Sequence, residues 1–387
     1  MRLSSLLFLP AIAYQSLAIF AGARHLYKQR RGHRGNTAAA QKFQPGVSVL
    51  KPVRGLDPNT YEAFVSQAKQ NYPSFEILFG VHDRCDPAVP VIQQLQREFP
   101  EVAIHLIVSD SNAPNGKVGI LMDLAARSRY PVWVVNDGDI KVTPDYLNAV
   151  VAPLQDDRIG VVTCPYRAEP HTLPAAWEAL GIAIDFMPST LVAPLVGVRE
   201  FGLGSTLAFR SRDLEQAGGF RALCDYLADD YQLAKRITGL GKRARLSTYT
   251  VETALSEATW SGVWQHQLRW GRTLRSSKGG GYVGLPLTHA GAWAVLAVAF
   301  GASGALSALL ALRVLCGFLV GGFVLQSRFA IAFCWLAPVW DLYAFGVWIA
   351  SYFSQEVRWR DRVLTVDAQG RIQQCATQSH ANESRAC

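Results

Sequence analysis

The residues best placed to do chemistry are Asp137 and Asp139, in Asn136-Asp137-Gly138-Asp139. They follow an apolar, β-branched run at 132–135, and the glycine between them permits a close approach. Two carboxylates at this spacing offer oxygen ligands, direct or through water, to Mg²⁺ or Mn²⁺. Such a cation keeps open positions for phosphate oxygens. The competing reading is an Asp-Gly turn whose acids only cap the chain. The position at a strand end strengthens the metal reading, and both remain open on the residues alone.

A second acidic pair, Asp229-Asp230, opens the helical pattern of residues 231–236. Orphan amides and the dipole favour acids at a helix start, so capping accounts for one of them. Adjacent carboxylates also repel, which raises one pKa toward values suited to a general base. Asp83, after the apolar run 77–81, is either an acceptor for a base or ribose or a turn acid paired with Arg84. His266, Arg269 and Trp270 in His-Gln-Leu-Arg-Trp are neighbours on a helix. Arg269 can grip a phosphate and Trp270 can wall a pocket, and both types also suit a helix at a membrane surface. Lys117, in Asn-Gly-Lys-Val-Gly, is either a phosphate contact or a solvent-facing loop lysine.

Strands and helices must position these groups. Runs 47–50, 75–81, 102–108 and 132–135 read as buried parallel strands, with helical patterns at 60–70 and 88–99 between them. The alternation predicts an α/β domain with helices on both sheet faces. Ligands in such folds sit beyond the C-terminal strand ends, which places Lys51, Asp83 and Asp137 on one rim. No GxGxxG follows an early strand, and no GxxxxGK[ST] occurs. Gly202-Leu203-Gly204 lies far downstream, in a different context. Dinucleotide binding and nucleoside-triphosphate hydrolysis are therefore set aside.

Composition points to a membrane. Of 387 residues, 50% are hydrophobic and 18% charged, below the roughly 25% charged usual in soluble domains. The net charge of +8 has no long basic block with interleaved aromatics, which disfavours nucleic acid. Seven scattered cysteines without a CxxC pair argue against a disulfide framework or zinc site and for a reduced, cytoplasmic catalytic part. Residues 6–23 are uncharged and precede Arg24, Lys28, Arg30, Arg31 and Arg34. Because the basic cluster comes after the apolar run, this is a membrane helix with a cytoplasmic C-terminal end rather than a signal peptide.

A second apolar zone covers 285–326 with Arg313 inside it, and its run 292–312 is long enough for one crossing. A third covers 329–353, with Pro338 and Asp341, before Arg358, Arg360 and Arg362. Three C-terminal crossings would put the tail outside; an even number, or a re-entrant segment at Pro338, would keep it inside. The expected organisation is an N-terminal helix and basic linker at 1–41, a catalytic domain at 42–284, a membrane region at 285–355 and a polar tail at 356–387. Gly279-Gly280-Gly281 is expected as a loop before the membrane.

Taken in order, the sequence resembles the ceramide glucosyltransferase family, including bacterial relatives associated with hopanoid lipids. The resemblance runs from the N-terminal helix through Lys51-Pro52-Val53-Arg54-Gly55, Asp83 with Asp86-Pro87-Ala88, and Asp137-Gly138-Asp139. It continues through Asp229-Asp230-Tyr231 and Arg269-Trp270 to the C-terminal membrane region, covering nearly the whole chain. It implies a GT-A-like nucleotide-sugar-binding domain between N-terminal and C-terminal transmembrane helices, with inverting chemistry. On this resemblance Asp83 contacts uridine, Asp137 and Asp139 form the metal-binding DxD element, and Asp230 is the catalytic base. Arg269 and Trp270 end a (Q/R)xxRW motif that holds the diphosphate and the acceptor side of the pocket. Lys51 and Lys117 fall in stretches resembling the nucleotide-sugar site. The departure is His266 at the first motif position, where the family has Gln or Arg; a histidine can still donate to phosphate or help ligate metal.

The implied reaction moves glucose from a UDP-sugar to a lipid hydroxyl, first of all that of ceramide, giving a β-glycolipid. N-acetylglucosamine transfer to a hopanoid polyol such as bacteriohopanetetrol is the rival. A non-catalytic nucleotide-sugar-binding membrane protein is the alternative from another class, disfavoured because it needs no full set of Asp137, Asp139 and Asp230. The implied partners are the UDP-sugar, the lipid acceptor and the bilayer of a bacterial inner membrane, with the catalytic domain cytoplasmic.

Overall fold

The computed structural model describes residues 3–35, 43–255, 259–359 and 362–373. The chain begins with the long apolar helix α1 (Leu9–Gly35). The catalytic part then alternates β1 (Val47–Pro52), α2 (Thr60–Ala68), β2 (Phe75–Val81), α3 (Ala88–Glu98), β3 (Ala103–Val108), α4 (Gly116–Ala125) and β4 (Val132–Val135). These strands lie where the apolar runs predict them, and every residue of β1 and β4 is buried.

Further along come α5 (Tyr146–Val151), β5 (Ile159–Thr163), β6 (Tyr166–Pro170), α6 (Leu173–Gly181), α7 (Met187–Val192), β7 (Leu207–Arg210), α8 (Ser211–Gln216), α9 (Asp229–Gly239), β8 (Arg243–Leu246) and β9 (Val251–Leu255). A seven-stranded sheet has the order β3-β2-β1-β4-β7-β5-β8, while β6 and β9 pair separately. The strands β3, β2, β1 and β4 are parallel, and β7 runs antiparallel to both β4 and β5. Chain order reverses between β1 and β4, which opens a crevice beyond their C-terminal ends. Alternation divides the core: Val49 and Val134 pack on one face, Leu50, Trp133 and Val135 on the other. Each fully buried aliphatic side chain contributes about 1.5–3 kcal/mol.

The rest of the chain forms α10 (Trp260–Ser277), α11 (Gly279–Val283), α12 (Ala290–Ala299), α13 (Ser303–Gly317), α14 (Arg328–Phe333) and α15 (Ala337–Ala350). Among the described residues, three helical stretches are long and apolar enough to cross a membrane: Leu6–Arg31, Ser303–Val324 and Arg328–Phe353.

Four expectations need correction. The triple glycine at 279–281 is the start of α11, packed after α10, rather than a loop. The run 292–312 is two helices, because Gly301 takes φ +61° between α12 and α13. Residues 356–373 of the expected polar tail include three strands, β10 (Glu356–Trp359), β11 (Arg362–Val366) and β12 (Ile372–Gln373). Val357, Val366 and Ile372 pack on Leu227, so hydrophobic burial orders this segment. Cysteines 164, 224, 316 and 334 are free, whereas Cys85 is disulfide-bonded.

Candidate active site

The crevice at the β1/β4 switch collects the acidic residues. Lys51, next to last in β1, is wholly buried, and its Nζ donates to Asn136 Oδ1 at 2.7 Å and to the Asp137 carbonyl at 2.9 Å. Burial pulls its pKa down to about 7, against the attraction of Asp139 and Asp137. Asn136 Nδ2 donates to the Tyr146 hydroxyl, which also meets Thr206 Oγ1. Lys51 therefore lies beneath the Asp137-Gly138-Asp139 turn and holds it from below, instead of reaching into the crevice.

Lys117 is no solvent-facing loop lysine. It sits in the first turn of α4, whose N-cap Asn115 accepts from Val118 N and donates from Nδ2 to the Tyr226 carbonyl at 2.8 Å. Its Nζ lies 2.7 Å from Asp137 Oδ1 and 3.3 Å from Asp229 Oδ2. Burial works to lower its pKa, but the aspartates outweigh it and hold the ammonium above its ordinary value. Lys117 thus joins the two acidic pairs that are far apart in sequence.

Asp230 opens α9. Its Oδ2 accepts from Gly204 N at 3.1 Å and its Oδ1 from Tyr231 N at 2.7 Å. Burial and the Asp229 charge push its pKa up to about 6, despite Lys117 and the Tyr231 amide. Gly204 forms the floor between the pairs: a Cβ there would stand 3.0 Å from Asp137 Oδ2 and 3.7 Å from Asp230 Oδ2. The Gly202-Leu203-Gly204 stretch, set aside in the sequence, is therefore part of the site. Its signal was small residues before β7, which is legible only once Asp230 is opposite. Asp139 receives a hydrogen bond from Thr253 on β9, and burial and Asp137 push its pKa up to about 6.

Tyr166, on β6, is a further residue that the sequence reading missed. It is buried, and its hydroxyl pKa is raised by burial and then by Glu178, Asp230, Asp137 and Asp139. Its ring meets Phe186 at 5.7 Å, Phe186 meets Trp270 at 5.7 Å, and Trp270 meets His266 at 4.8 Å. An aromatic wall thus runs from the carboxylates to α10. On α10, His266 Nδ1 lies 2.6 Å from Oε1 of the wholly buried Glu178, which also accepts from Gln267 Nε2 at 2.7 Å. Arg269 lies on the same helix, whose N-cap Thr259 accepts from Gly262 N.

Asp83 stands apart, exposed on the same rim, with Oδ1 accepting from Cys85 N at 2.9 Å. The neighbouring Asp86 caps the start of α3 through Ala88 N and binds Gly55 N with both oxygens.

A divalent cation fits this donor set in part. Among the described residues no three His, Cys, Asp or Glu groups converge as a ready metal cage, and His266 is engaged by Glu178. Asp137 and Asp139 nevertheless place two carboxylates at one turn, and burial first and Asp137 second raise the Asp139 pKa. Two protein acids with open positions left for phosphate and water suit Mg²⁺ or Mn²⁺.

The family described as "Glycosyl transferase family 21" matches residues 7–372. This chain belongs to that family. Ceramide glucosyltransferase 1 of Caenorhabditis elegans is 30% identical over 208 residues, 53% of this chain and 44% of that protein. Ceramide glucosyltransferase 3 of the same organism is 25% identical over 241 residues, 58% of this chain and 50% of that protein. The chain thus spans half or less of the length of these relatives. Among solved structures, mannosyltransferase PcManGT from Pyrobaculum calidifontis, in complex with GDP-Man and Mn²⁺, superposes with a TM-score of 0.50 at 21% identity. That match covers 89% of this chain and 97% of the other. The fold is GT-A-like, with a mostly parallel sheet core and apolar helices at both ends of the chain.

Proposed function

We propose that this protein is an inverting, metal-dependent glycosyltransferase that moves a sugar, glucose first of all, from a UDP-sugar to the hydroxyl of a membrane lipid such as ceramide. The observation that carries the reading is the placement of Asp230 across Gly204 from Asp137. One carboxylate stands where a phosphate-bound cation would be held, and another, with a pKa near 6, faces the same floor.

Four aspartates with one directly paired ammonium, Lys117, would repel a diphosphate. Asp137 and Asp139 would hold a divalent cation, which would offset that repulsion and the charge of the departing UDP. Asp230 takes the proton of the acceptor hydroxyl as its oxygen bonds to the sugar C1. The C1–O bond to UDP breaks on the opposite face, so an α-linked donor gives a β-glycoside. Arg269 and Trp270 line the diphosphate and acceptor side, and the wall of Tyr166, Phe186 and Trp270 limits water. Asp83 on the outer rim is the uridine contact. The catalytic domain faces the cytoplasm, in keeping with Arg24, Lys28, Arg30 and Arg31 at the end of α1.

Purified protein incubated with UDP-glucose or UDP-N-acetylglucosamine, against ceramide or a hopanoid polyol, with and without Mg²⁺ or Mn²⁺, tests this reading. The expected product mass is that of glucosylceramide, formed only with metal. An N-acetylglucosaminyl hopanoid would move the assignment to the rival substrates. Asp230→Ala should abolish transfer while sparing UDP binding; retained turnover would sink the role of the base.

A further inference from the structure

The helix Arg328–Phe353 has the length and hydropathy of a membrane crossing, yet both of its ends lie on the catalytic domain. Just before it, the Leu325 carbonyl accepts from Arg167 Nη1, and Arg167 is paired with Glu252 of β9 at 2.9 Å. There too, Gln29 Nε2 of α1 donates to the carbonyls of Val324 and of Thr248, the latter in the catalytic part. In the middle, Trp340 Nε1 donates to Asp185 Oδ2 at 3.1 Å, and its ring lies 5.2 Å from that of Trp177 on α6. At the far end, Arg275 of α10 donates to the carbonyls of Ser351 and Ser354, and the Tyr282 hydroxyl donates to Ser351 Oγ.

The segment that follows makes the same point. Leu227 N donates to the Gly370 carbonyl at 3.1 Å and Ile372 N to the Asp225 carbonyl at 2.7 Å, beside Asp229. The small sheet after the membrane region is therefore on the catalytic side. A straight helix of 26 residues spans about 39 Å. Crossing some 30 Å of hydrocarbon would carry one end away from the domain that both ends touch.

In the preceding hairpin only the outgoing arm is short by the same measure; the returning arm, Ser303–Val324, has the 22 residues of a crossing and reaches back to the catalytic domain. From α12 the chain turns at Gly301 and returns along Ser303–Val324 to the Gln29 contact. The 10 residues of α12 reach only about 15 Å, half the hydrocarbon thickness. Its base is polar: Gln15 Nε2 donates to the Thr288 carbonyl, and Arg313 pairs with Asp341, which accepts from Gly291 N. Beyond that base, residues 290–312 carry no charge, and Val295, Val298 and Phe300 are more than half exposed.

We propose that the C-terminal membrane region makes no net crossing. Ala290–Ala299 and the first half of Ser303–Val324 form a re-entrant hairpin sunk in the leaflet that faces the catalytic domain. Arg328–Phe353 lies along that leaflet with its exposed Trp335, Val339 and Leu342 against lipid. The partner of these apolar surfaces is the acyl-chain layer of a single leaflet. The proposal stands on geometry alone and does not depend on the reaction.

Single cysteines at the exposed positions Ser303, Leu342 and Phe353, in full-length protein reconstituted with the catalytic domain outward, test it. Labelling by a membrane-impermeant maleimide, corrected for the native thiols, is read with reagent outside or sealed inside the vesicles. Quenching of a fluorophore at each position by lipids with doxyl groups at graded depths gives its depth. Ser303→Cys should resist the impermeant reagent from both sides and lie near the bilayer centre. Leu342→Cys and Phe353→Cys should both lie shallow on the outer side. Labelling of Ser303→Cys from the vesicle interior, or deep placement of Leu342→Cys, would overturn the proposal.

Discussion

Acid and base meet at two depths of this molecule, and the balance struck differs. On the sheet rim Asp137, Asp139, Asp229 and Asp230 gather, and Lys117 pairs directly with Asp137 and Asp229. Beneath the domain, Asp341 is matched by Arg313: both carboxylate oxygens accept from Arg313 Nε, while Arg313 Nη1 donates to the Ile184 carbonyl at 2.6 Å. The second cluster is closed, since each buried polar partner has what it needs. The first retains surplus negative charge, four carboxylates against the ammonium of Lys117, and burial with that like charge pushes Asp139 and Asp230 up to about 6. Such an imbalance is what a site awaiting a cation and a proton looks like.

The largest effect should come from removing the base. Asp230→Asn keeps the shape and one acceptor oxygen for the two backbone amides of Gly204 and Tyr231, but it cannot take a proton, so transfer should fall by about 10²–10⁴-fold. Two opposing effects act on its folding. An aspartate with a folded pKa near 6, against about 3.9 unfolded, loses stability as pH rises between those values. The amide removes that cost but sets its NH₂ against one backbone N–H, so thermal stability at pH 7 close to that of the unaltered protein is the expected readout. A stable but fully active variant would dissolve the contrast between the two clusters.

At the closed cluster the ranking should invert. Arg313→Met leaves Asp341 buried without its partner and should cost about 3–5 kcal/mol, read as a drop in Tm in detergent. Adding Asp341→Leu should recover much of the loss, because an apolar pair then replaces an ion pair. Activity per folded molecule should stay unchanged in the double variant.

Much of this contrast could be read from local sequence, and some could not. The strands β1, β2 and β4 and the start of α9 announce themselves through apolar runs and an acidic first turn. Lys117 and Gly204 do not, because their meaning lies in contacts 20 to 112 residues away, across the crevice. The break at Gly301 is likewise hidden in an unbroken apolar run, since hydropathy records composition but not direction. Gly204→Ala sharpens the point. Its Cβ would press on Asp137 Oδ2 at 3.0 Å, and displacing either acid by part of an ångström should lower transfer by up to about 10²-fold. Normal transfer rates in this variant would remove the glycine from the site.

The smallest effect is the most specific to charge balance. Lys117 lowers the pKa of Asp230, while burial and Asp229 raise it. Lys117→Met removes the favourable partner, so the base should hold its proton to higher pH. The acidic limb of the kcat/KM profile, expected near pH 6 in the unaltered protein, should then move upward by about one unit, a difference of about 1.4 kcal/mol. Lys117→Arg keeps the charge and should leave the limb close to its place. A loss of rate with an unmoved limb in Lys117→Met would mean that Lys117 only props Asp137. A limb moved downward would mean that the rate reports a group other than Asp230.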